Sequence, residues 1–176
     1  MSDVGPEGRS FARIDRADLD RLAHIAALDR AGFFESHPDW ALYADRHVAT
    51  ALCQGAALHY IRGDVGVNDF DVYSFFASHP AKRWYAKRNK PADFGDPKFG
   101  RSSNRPKYVG RRVDLLGRGI ECRAGDSPVA CIQRWLVSGK TKSARLLSQK
   151  AVVLLDPVNL RGLVVWPPTA DHAAAE

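Results

Sequence analysis

The sequence predicts one α/β (α+β) domain, and three observations support this prediction. The length of 176 residues suits one domain with a core, and the apolar content of 45% is ordinary for a globular protein. Short apolar segments of strand type alternate with segments of helical periodicity. No apolar run approaches the roughly 18 residues that a membrane-spanning helix requires. The pattern therefore predicts a sheet with helices packed on it.

Helix signals occur along the whole chain. Asp15 is expected to cap a helix that runs to about Ala31 and ends at Gly32. Ser36 is expected to start a second, short helix. The complete set of expected helices covers residues 15–31, 36–43, 56–61, 128–138 and 142–150.

Strand signals lie between these helices. The strongest covers residues 68–76, where aromatic and β-branched residues dominate. A segment at 111–116 is also expected to be a strand, and Gly117 to Gly119 is expected to turn the chain into 120–122. The other expected strands are 47–53, 151–155 and 163–166.

The segments outside this pattern set the domain limits. Residues 1–14 are expected to form a flexible arm, 15–168 the domain, and 169–176 a frayed tail. The polar start is not expected to be a secretion signal. Cys53, Cys122 and Cys131 are odd in number and lack C-x-x-C spacing, which predicts a reducing, cytoplasmic setting and no zinc ribbon.

Positive charge is concentrated in a basic insertion at residues 79–112. The chain carries +6, but this window has eleven basic and two acidic residues, so it carries +9 and the rest −3. One interpretation is a groove for RNA or DNA. Its rings for base stacking would be Trp84, Tyr85, Phe94, Phe99 and Tyr108. The alternative is a solvated loop, expected to be irregular apart from a helical turn at 82–87.

Three aspartates are the candidate chemical groups. Asp69 and Asp71 are two residues apart on a strand, so their side chains point to the same face. Asp114 lies in the next apolar strand along the chain. Neighbouring carboxylates repel each other and need a cation, and magnesium prefers such oxygen ligands. The alternative is that the aspartates cap backbone groups or pair with Arg62, Arg111 or Arg112.

A glycine turn precedes these strands. Gln54-Gly55-Ala56 joins an expected strand to an expected helix, and Gly55 lies fourteen residues before Asp69. A helix that starts at such a turn offers backbone N–H groups and a positive dipole end to a phosphate. Basic side chains are also needed by a triphosphate. The candidates are Arg62, Lys82, Arg83, Arg111 and Arg112.

The glycine turn, Asp69-Phe70-Asp71-Val72 and Val113-Asp114-Leu115 together resemble the signature of the nucleotidyltransferase superfamily, the DNA-polymerase-beta-like fold. The similarity is greatest to minimal, abortive-infection and toxin–antitoxin nucleotidyltransferases. It implies a mixed sheet flanked by helices, with Asp69 and Asp71 holding two magnesium ions (or manganese). Asp114 would bind the ion that activates the attacking hydroxyl, and Gly55 and Ala56 would face the nucleotide phosphates.

Two departures from the family pattern affect this expectation. Gln54-Gly55-Ala56 replaces the usual Gly-Gly or Gly-Ser, which removes a possible hydroxyl contact to phosphate. The gap between the second and third acids is long, so Glu121 and Asp126 are alternatives for the third.

The expected function is magnesium-dependent transfer of a nucleoside monophosphate from a nucleoside triphosphate to a hydroxyl acceptor, with RNA such as tRNA favoured. One alternative is a catalytically inactive relative that binds nucleic acid or a partner protein. A second is a metal-dependent nuclease, because three acids on adjacent strands also suit phosphodiester hydrolysis.

Overall fold

A computed structural model describes residues 8–84 and 90–167 of the chain. Four α-helices and six strands are numbered here in chain order. They are α1 (Arg16–Ser36), β1 (His47–Cys53), α2 (Gln54–Arg62), β2 (Phe70–Ala77), β3 (Lys90–Asp93), β4 (Arg112–Ile120), α3 (Pro128–Ser138), α4 (Lys142–Leu147), β5 (Val152–Asp156) and β6 (Val164–Trp166). Short 3-10 helices cover Pro38–Arg46, Pro97–Phe99 and Val158–Leu160.

The strands form one mixed sheet in the order β3-β4-β2-β1-β5-β6. Only β2 and β4 pair in parallel, and the other neighbours are antiparallel. Helices pack on both faces of this sheet, which confirms the predicted α/β class. No helix in the described part of the chain is long and apolar enough to cross a membrane.

The alternation of side chains along β2 divides the core into two layers. Phe70 and Val72 pack with buried residues of α1 and α2. Tyr73 and Phe75 point to the other face and pack with residues of α3 and α4. Asp71 has the parity of Tyr73, so it points to the α3–α4 face. There the apolar core gives way to polar groups.

A third cluster of aromatic residues corrects the prediction of a turn at Gly117 to Gly119. These residues belong to the continuous strand β4. A Cβ at either glycine would approach Trp84 to 2.9 Å. Trp84 is buried and stacks on Phe76, with ring centroids 4.5 Å apart. The glycines therefore make room for an indole on the sheet, a role that their sequence does not distinguish from a turn.

Three further boundaries differ from the predictions. α1 continues past Gly32 to Ser36, because Phe33 is buried in the aromatic cluster and Pro38 follows the helix end. The segment after it is a 3-10 helix. Residues 8–14 are not an arm, since Ser10 pairs with Val67 and Ile14 is buried. Residues 1–7 and the predicted tail lie outside the described residues.

The basic insertion contains more regular structure than expected. Lys90–Asp93 is strand β3 at the edge of the sheet, where a proline is tolerated because one side needs no backbone donor. Lys82 makes a β-bridge with His79, so the predicted helical turn is wrong at its start. Residues 85–87 of that predicted turn lie outside the described residues.

Candidate functional site

The structure brings the three predicted aspartates together at one edge of the sheet. β2 and β4 start side by side, and Asp71 lies in register with Asp114 on the neighbouring parallel strand. Asp69 precedes Asp71 by two residues and shares its side of the chain. Neighbouring strands lie about 4.8 Å apart, so the three carboxylates form one acidic group. This group is called the aspartate triad below.

Two carboxylates of the triad, Asp69 and Asp71, have a raised pKa. Burial, followed by the charges of Asp69 and Asp114, raises the pKa of Asp71 to about 7. Burial and the charge of Asp114 also raise the pKa of Asp69. Asp69 is the most accessible of the three, with 32% of its side chain exposed, while Asp114 has 8%. The triad thus concentrates negative charge that a cation would stabilise.

Arg112 is the cation that contacts the triad in this structure. Its Nη2 lies 2.7 Å from Asp114 Oδ2 and 3.5 Å from Asp69 Oδ2. Pairing with Arg112, one alternative considered from sequence, is therefore realised for two of the three acids. The Nε of Arg112 is buried and has no hydrogen-bond partner among residues 8–84 and 90–167. The Arg112 guanidinium is thus held through Nη2, whereas its Nε donor is not used.

The triad fits a divalent cation in its chemistry but not in its present arrangement. Its ligands are all carboxylate oxygens, which magnesium and manganese prefer. Across residues 8–84 and 90–167, however, no group of three or more His, Cys, Asp or Glu side chains is arranged to hold a metal ion. Because Arg112 contacts Asp114 and Asp69, an ion would bind only after its long, partly exposed side chain turned away.

The glycine turn lies beside the triad, as expected. Cys53, the last residue of β1, is in register with Asp71, and α2 starts at the next residue. Gln54 rather than Gly55 has the left-handed backbone, with φ of 63°. A non-glycine residue in this conformation carries a local cost and is frequent at functional sites. Ala56 is buried in the first turn of α2.

Lys150 joins this group although the sequence did not single it out. A Cβ built on Gly55 would lie 4.0 Å from Lys150 Nζ. The charge of Lys150 also lowers the pKa of Asp71, against the larger effects that raise it. Lys150 is exposed at the start of β5, whose Val152 pairs with Cys53. Its position depends on this long-range pairing, which no local motif reveals.

Three of the predicted phosphate ligands are not near the triad. Arg62 ends α2, opposite the glycine turn, and pairs with Asp64 at 2.8 Å. Lys82 lies beyond the other end of β2 and donates to the carbonyl of Asp39. Arg83, its neighbour, is exposed. Each was proposed from charge alone, and charge does not determine which end of an element a residue occupies.

Arg111 has a structural role in the fold. It is buried, and its Nε donates to the carbonyl of Phe99 at 2.6 Å. Its Nη2 donates to the carbonyl of Gly8. These bonds attach the basic insertion to the amino-terminal segment.

The base-stacking role proposed for the insertion is wrong for most of its rings. Trp84, Phe94 and Phe99 are buried in the core. Tyr108 is half-buried, and Tyr85 lies outside the described residues.

The alternatives to Asp114 as third acid are distant from it in the fold. Glu121 follows the far end of β4, and Asp126 pairs with Arg134 at 2.6 Å.

A polar cleft adjoins the triad on the β4 side. Its lining residues are Asn68, Asp69, Ser102, Ser103, Asn104, Arg111 and Arg112. Its volume is about 100 Å³. The loop that forms one wall is held at its base by Asp93, whose carboxylate accepts hydrogen bonds from the N–H groups of Gly95, Val109 and Gly110. The cleft is therefore supported by ordered loop structure.

Comparisons of this chain with protein-family models, with curated proteins and with solved structures found no match.

Proposed function

We propose that this protein is a magnesium-dependent nucleotidyltransferase that moves a nucleoside monophosphate from a nucleoside triphosphate to a hydroxyl acceptor. The observation that carries the proposal is the register of Asp71 with Asp114, two residues after Asp69 and beside the glycine turn. This combination is the arrangement that the sequence resemblance implies. A carboxylate whose pKa is raised by burial and by two neighbouring carboxylates, as that of Asp71 is, also suits a cation-binding site better than a purely structural one.

The proposed role of each residue follows from its position in the site. Asp69 and Asp71 would hold magnesium next to the phosphates, and Asp114 would hold it on the acceptor side. Bound magnesium would neutralise charge on the transferring phosphoryl group and lower the pKa of the attacking hydroxyl. Lys150 and the start of α2 would bind the β- and γ-phosphates, because an ammonium group and a helix amino terminus both favour anions.

The transfer would be a single displacement at the α-phosphorus. The acceptor oxygen forms a bond to that phosphorus, the bond to the bridging oxygen breaks, and pyrophosphate leaves. The hydroxyl proton passes to solvent. Arg112 would leave Asp114 when the site fills, which keeps the local charge compensated in both states.

The ion pair between Arg112 and Asp114 favours a second candidate function, a catalytically inactive relative that binds nucleic acid. In that case the guanidinium is a permanent replacement for a metal ion. The two candidates differ in whether binding of a triphosphate requires a divalent cation and the triad.

The test is incubation of the protein with magnesium or manganese, each labelled nucleoside triphosphate and an RNA pool. Asp71→Asn and Asp114→Asn remove one carboxylate charge each. Asp45→Asn is the matched control, because Asp45 is exposed on the 3-10 helix before β1. The proposal expects metal-dependent label transfer by the native chain and the control only. Equal transfer by all four proteins, or none by any, refutes it, and shortening of RNA without triphosphate would indicate a nuclease.

We also propose that the protein works in the cytoplasm. The support is that Cys53, Cys122 and Cys131 are all free thiols. Reduced cysteines are typical of that compartment.

A further inference from the structure

The polar cleft and the glycine turn lie on opposite sides of the triad. Four neighbouring strands place Asp114, Asp71, Cys53 and Val152 in one row across the sheet. Lys150 and Gly55 belong to the β1–β5 side of that row. The cleft lies on the β4 side, where Arg112 and the loop before it form the wall. If the phosphates occupy the lysine side, the cleft is the free approach to the triad.

The groups around the cleft suit hydroxyls and phosphate oxygens. They are two amides, two hydroxyls, two guanidinium groups and the carboxylate of Asp69, and no aromatic ring of the described residues lines the cleft. Ser102 donates to the side-chain oxygen of Asn104 at 2.7 Å, which leaves the amide nitrogen of Asn104 as the donor for a ligand. The guanidinium of Arg112, which lines the cleft, supplies further N–H donors. A base would find no stacking surface here, whereas a sugar–phosphate unit would find donors.

Positive charge continues outward from the cleft along its own loop. Residues 97–113 contain six basic residues and no acidic one. Arg101, Arg105 and Lys107 are exposed, and none forms an ion pair within the described part of the chain. A single sugar phosphate would not reach these three side chains, but a run of phosphates would. The charge therefore favours a polyanion over a small acceptor.

We propose that the polar cleft is the acceptor subsite and binds the terminal sugar–phosphate unit of a single-stranded nucleic acid. Arg101, Arg105 and Lys107 contact the phosphates further along the strand. The cleft has a volume of about 100 Å³, so it holds one backbone unit at most. The assignment as acceptor subsite rests on the proposed nucleotidyltransferase activity, whereas strand binding by the cleft does not.

The first experiment measures equilibrium binding of a labelled 12-nucleotide RNA and a DNA of the same sequence by fluorescence anisotropy, with chelator present and no triphosphate. Arg101→Ala/Arg105→Ala removes two charges from the loop. Arg83→Ala/Lys140→Ala removes two exposed charges elsewhere. We expect the loop variant to bind at least about tenfold more weakly and its log–log salt slope to fall by about 1.4, at 0.7 for each lost phosphate contact. The control should stay within about twofold.

A second variant tests the cleft itself. Ser103 is exposed on the cleft wall, so substitution there does not disturb the core. Ser103→Glu adds a negative charge where a phosphate is expected and should weaken strand binding about tenfold. Ser103→Gln has nearly the same size without the charge and should weaken it less than about threefold.

The outcomes separate this inference from the proposed function. Tighter binding of RNA than DNA shows a contribution from the 2′-hydroxyl, and equal binding shows recognition of the backbone alone. Both results support strand binding by the cleft. No strand binding by the native chain, or equal losses in the loop and control variants, overturns the inference. Strand binding without nucleotide transfer refutes the enzyme proposal only. Transfer to a small alcohol without strand binding refutes this inference only.

Discussion

Asp71 lies directly opposite Asp114 on the adjacent parallel strand, and the two carboxylates share one face of the sheet. Like charges in such a pair destabilise a sheet. The free energy of folding therefore contains an unfavourable contribution at this position, which Arg112 offsets in part through its contacts with Asp114 and Asp69. This relationship leads to measurable effects on stability, metal binding and ligand binding.

Asp71→Asn is expected to stabilise the protein at pH 8. The pKa of Asp71 is raised from 3.8 to about 7 in the folded state, so the folded protein holds a proton that the unfolded chain loses between these values. The contribution of Asp71 to the free energy of unfolding is therefore fully present below pH 4, and it is lost as the pH rises to 7 and the carboxyl group ionises. The variant should gain up to about 4 kcal/mol at pH 8, at 1.36 kcal/mol per pKa unit, and almost nothing at pH 4. Urea unfolding at both pH values measures it.

The comparison must be made between variant and native protein at each pH, because His47 acts in the opposite direction. Burial, followed by the charge of Arg30, lowers the pKa of His47 to about 4. Its contribution to stability therefore rises between pH 4 and 6.5. Asp45→Asn should show no pH-dependent difference from the native chain. A loss of stability in Asp71→Asn at pH 8 would contradict the proposed repulsion.

Divalent cations are expected to raise the melting temperature more at pH 8 than at pH 5. A ligand that binds only the folded state stabilises it, and protons compete with the ion for carboxylates whose pKa is raised. Manganese at 5 mM should shift the native protein by several degrees at pH 8. Asp114→Asn should lose most of that shift. Equal shifts in this variant and in Asp45→Asn would show that the ion binds elsewhere.

Arg112→Gln is expected to bind manganese more tightly than the native protein does. The native guanidinium contacts Asp114 and Asp69 and competes with the ion. Without metal the variant should lose about 2 kcal/mol, because a largely buried carboxylate is left without its partner. Its dissociation constant for manganese should fall about tenfold in a calorimetric titration, with Arg112→Lys in between. Weaker binding by Arg112→Gln would show that Arg112 supports the metal site rather than competing for it.

The sequence was sufficient for those parts of the site that depend on local order. The side-chain alternation of a strand predicts that Asp69 and Asp71 share a face, and the glycine turn was placed correctly beside them. Sequence alone could not identify which residues long-range pairing adds. Lys150 comes from a segment almost one hundred residues after Gly55, and only the pairing of β5 with β1 brings them together.

The errors in the basic insertion have a related physical cause. Its charge suggested a surface groove, but Phe94 and Phe99 are buried beside Phe70, and Lys98 pairs with Asp15 and Asp18. Composition reports how many cations a segment has. It does not report which of them are already neutralised by acids from distant elements, so only the exposed subset remains available to a ligand.

Lys150→Ala is expected to weaken binding of a nucleoside triphosphate without affecting strand binding. Lys150 lies beside Gly55, on the side of the triad away from the polar cleft. Loss of one ammonium contact to a phosphate should raise the dissociation constant about tenfold, or about 1.4 kcal/mol. Calorimetry with a non-hydrolysable triphosphate measures it. Lys142→Ala, an exposed lysine at the start of α4, is the control, and equal weakening by both variants would count against a specific contact.

Gly117→Ala is expected to destabilise the fold through Trp84, even though alanine suits a strand better than glycine does. The added methyl group would lie 2.9 Å from the indole, which is enclosed by Phe33, Trp40 and Phe76 and has little freedom to move. Overpacking of this kind costs about 1–3 kcal/mol. Gly32→Ala adds the same methyl group in α1, where no described residue outside the local helix backbone lies within 4 Å, and should stabilise by about 0.5–1 kcal/mol. Urea unfolding followed by tryptophan fluorescence would measure both changes. Equal effects of the two substitutions would mean that β4 does not need a glycine against the indole. This result would contradict the proposed role of Gly117.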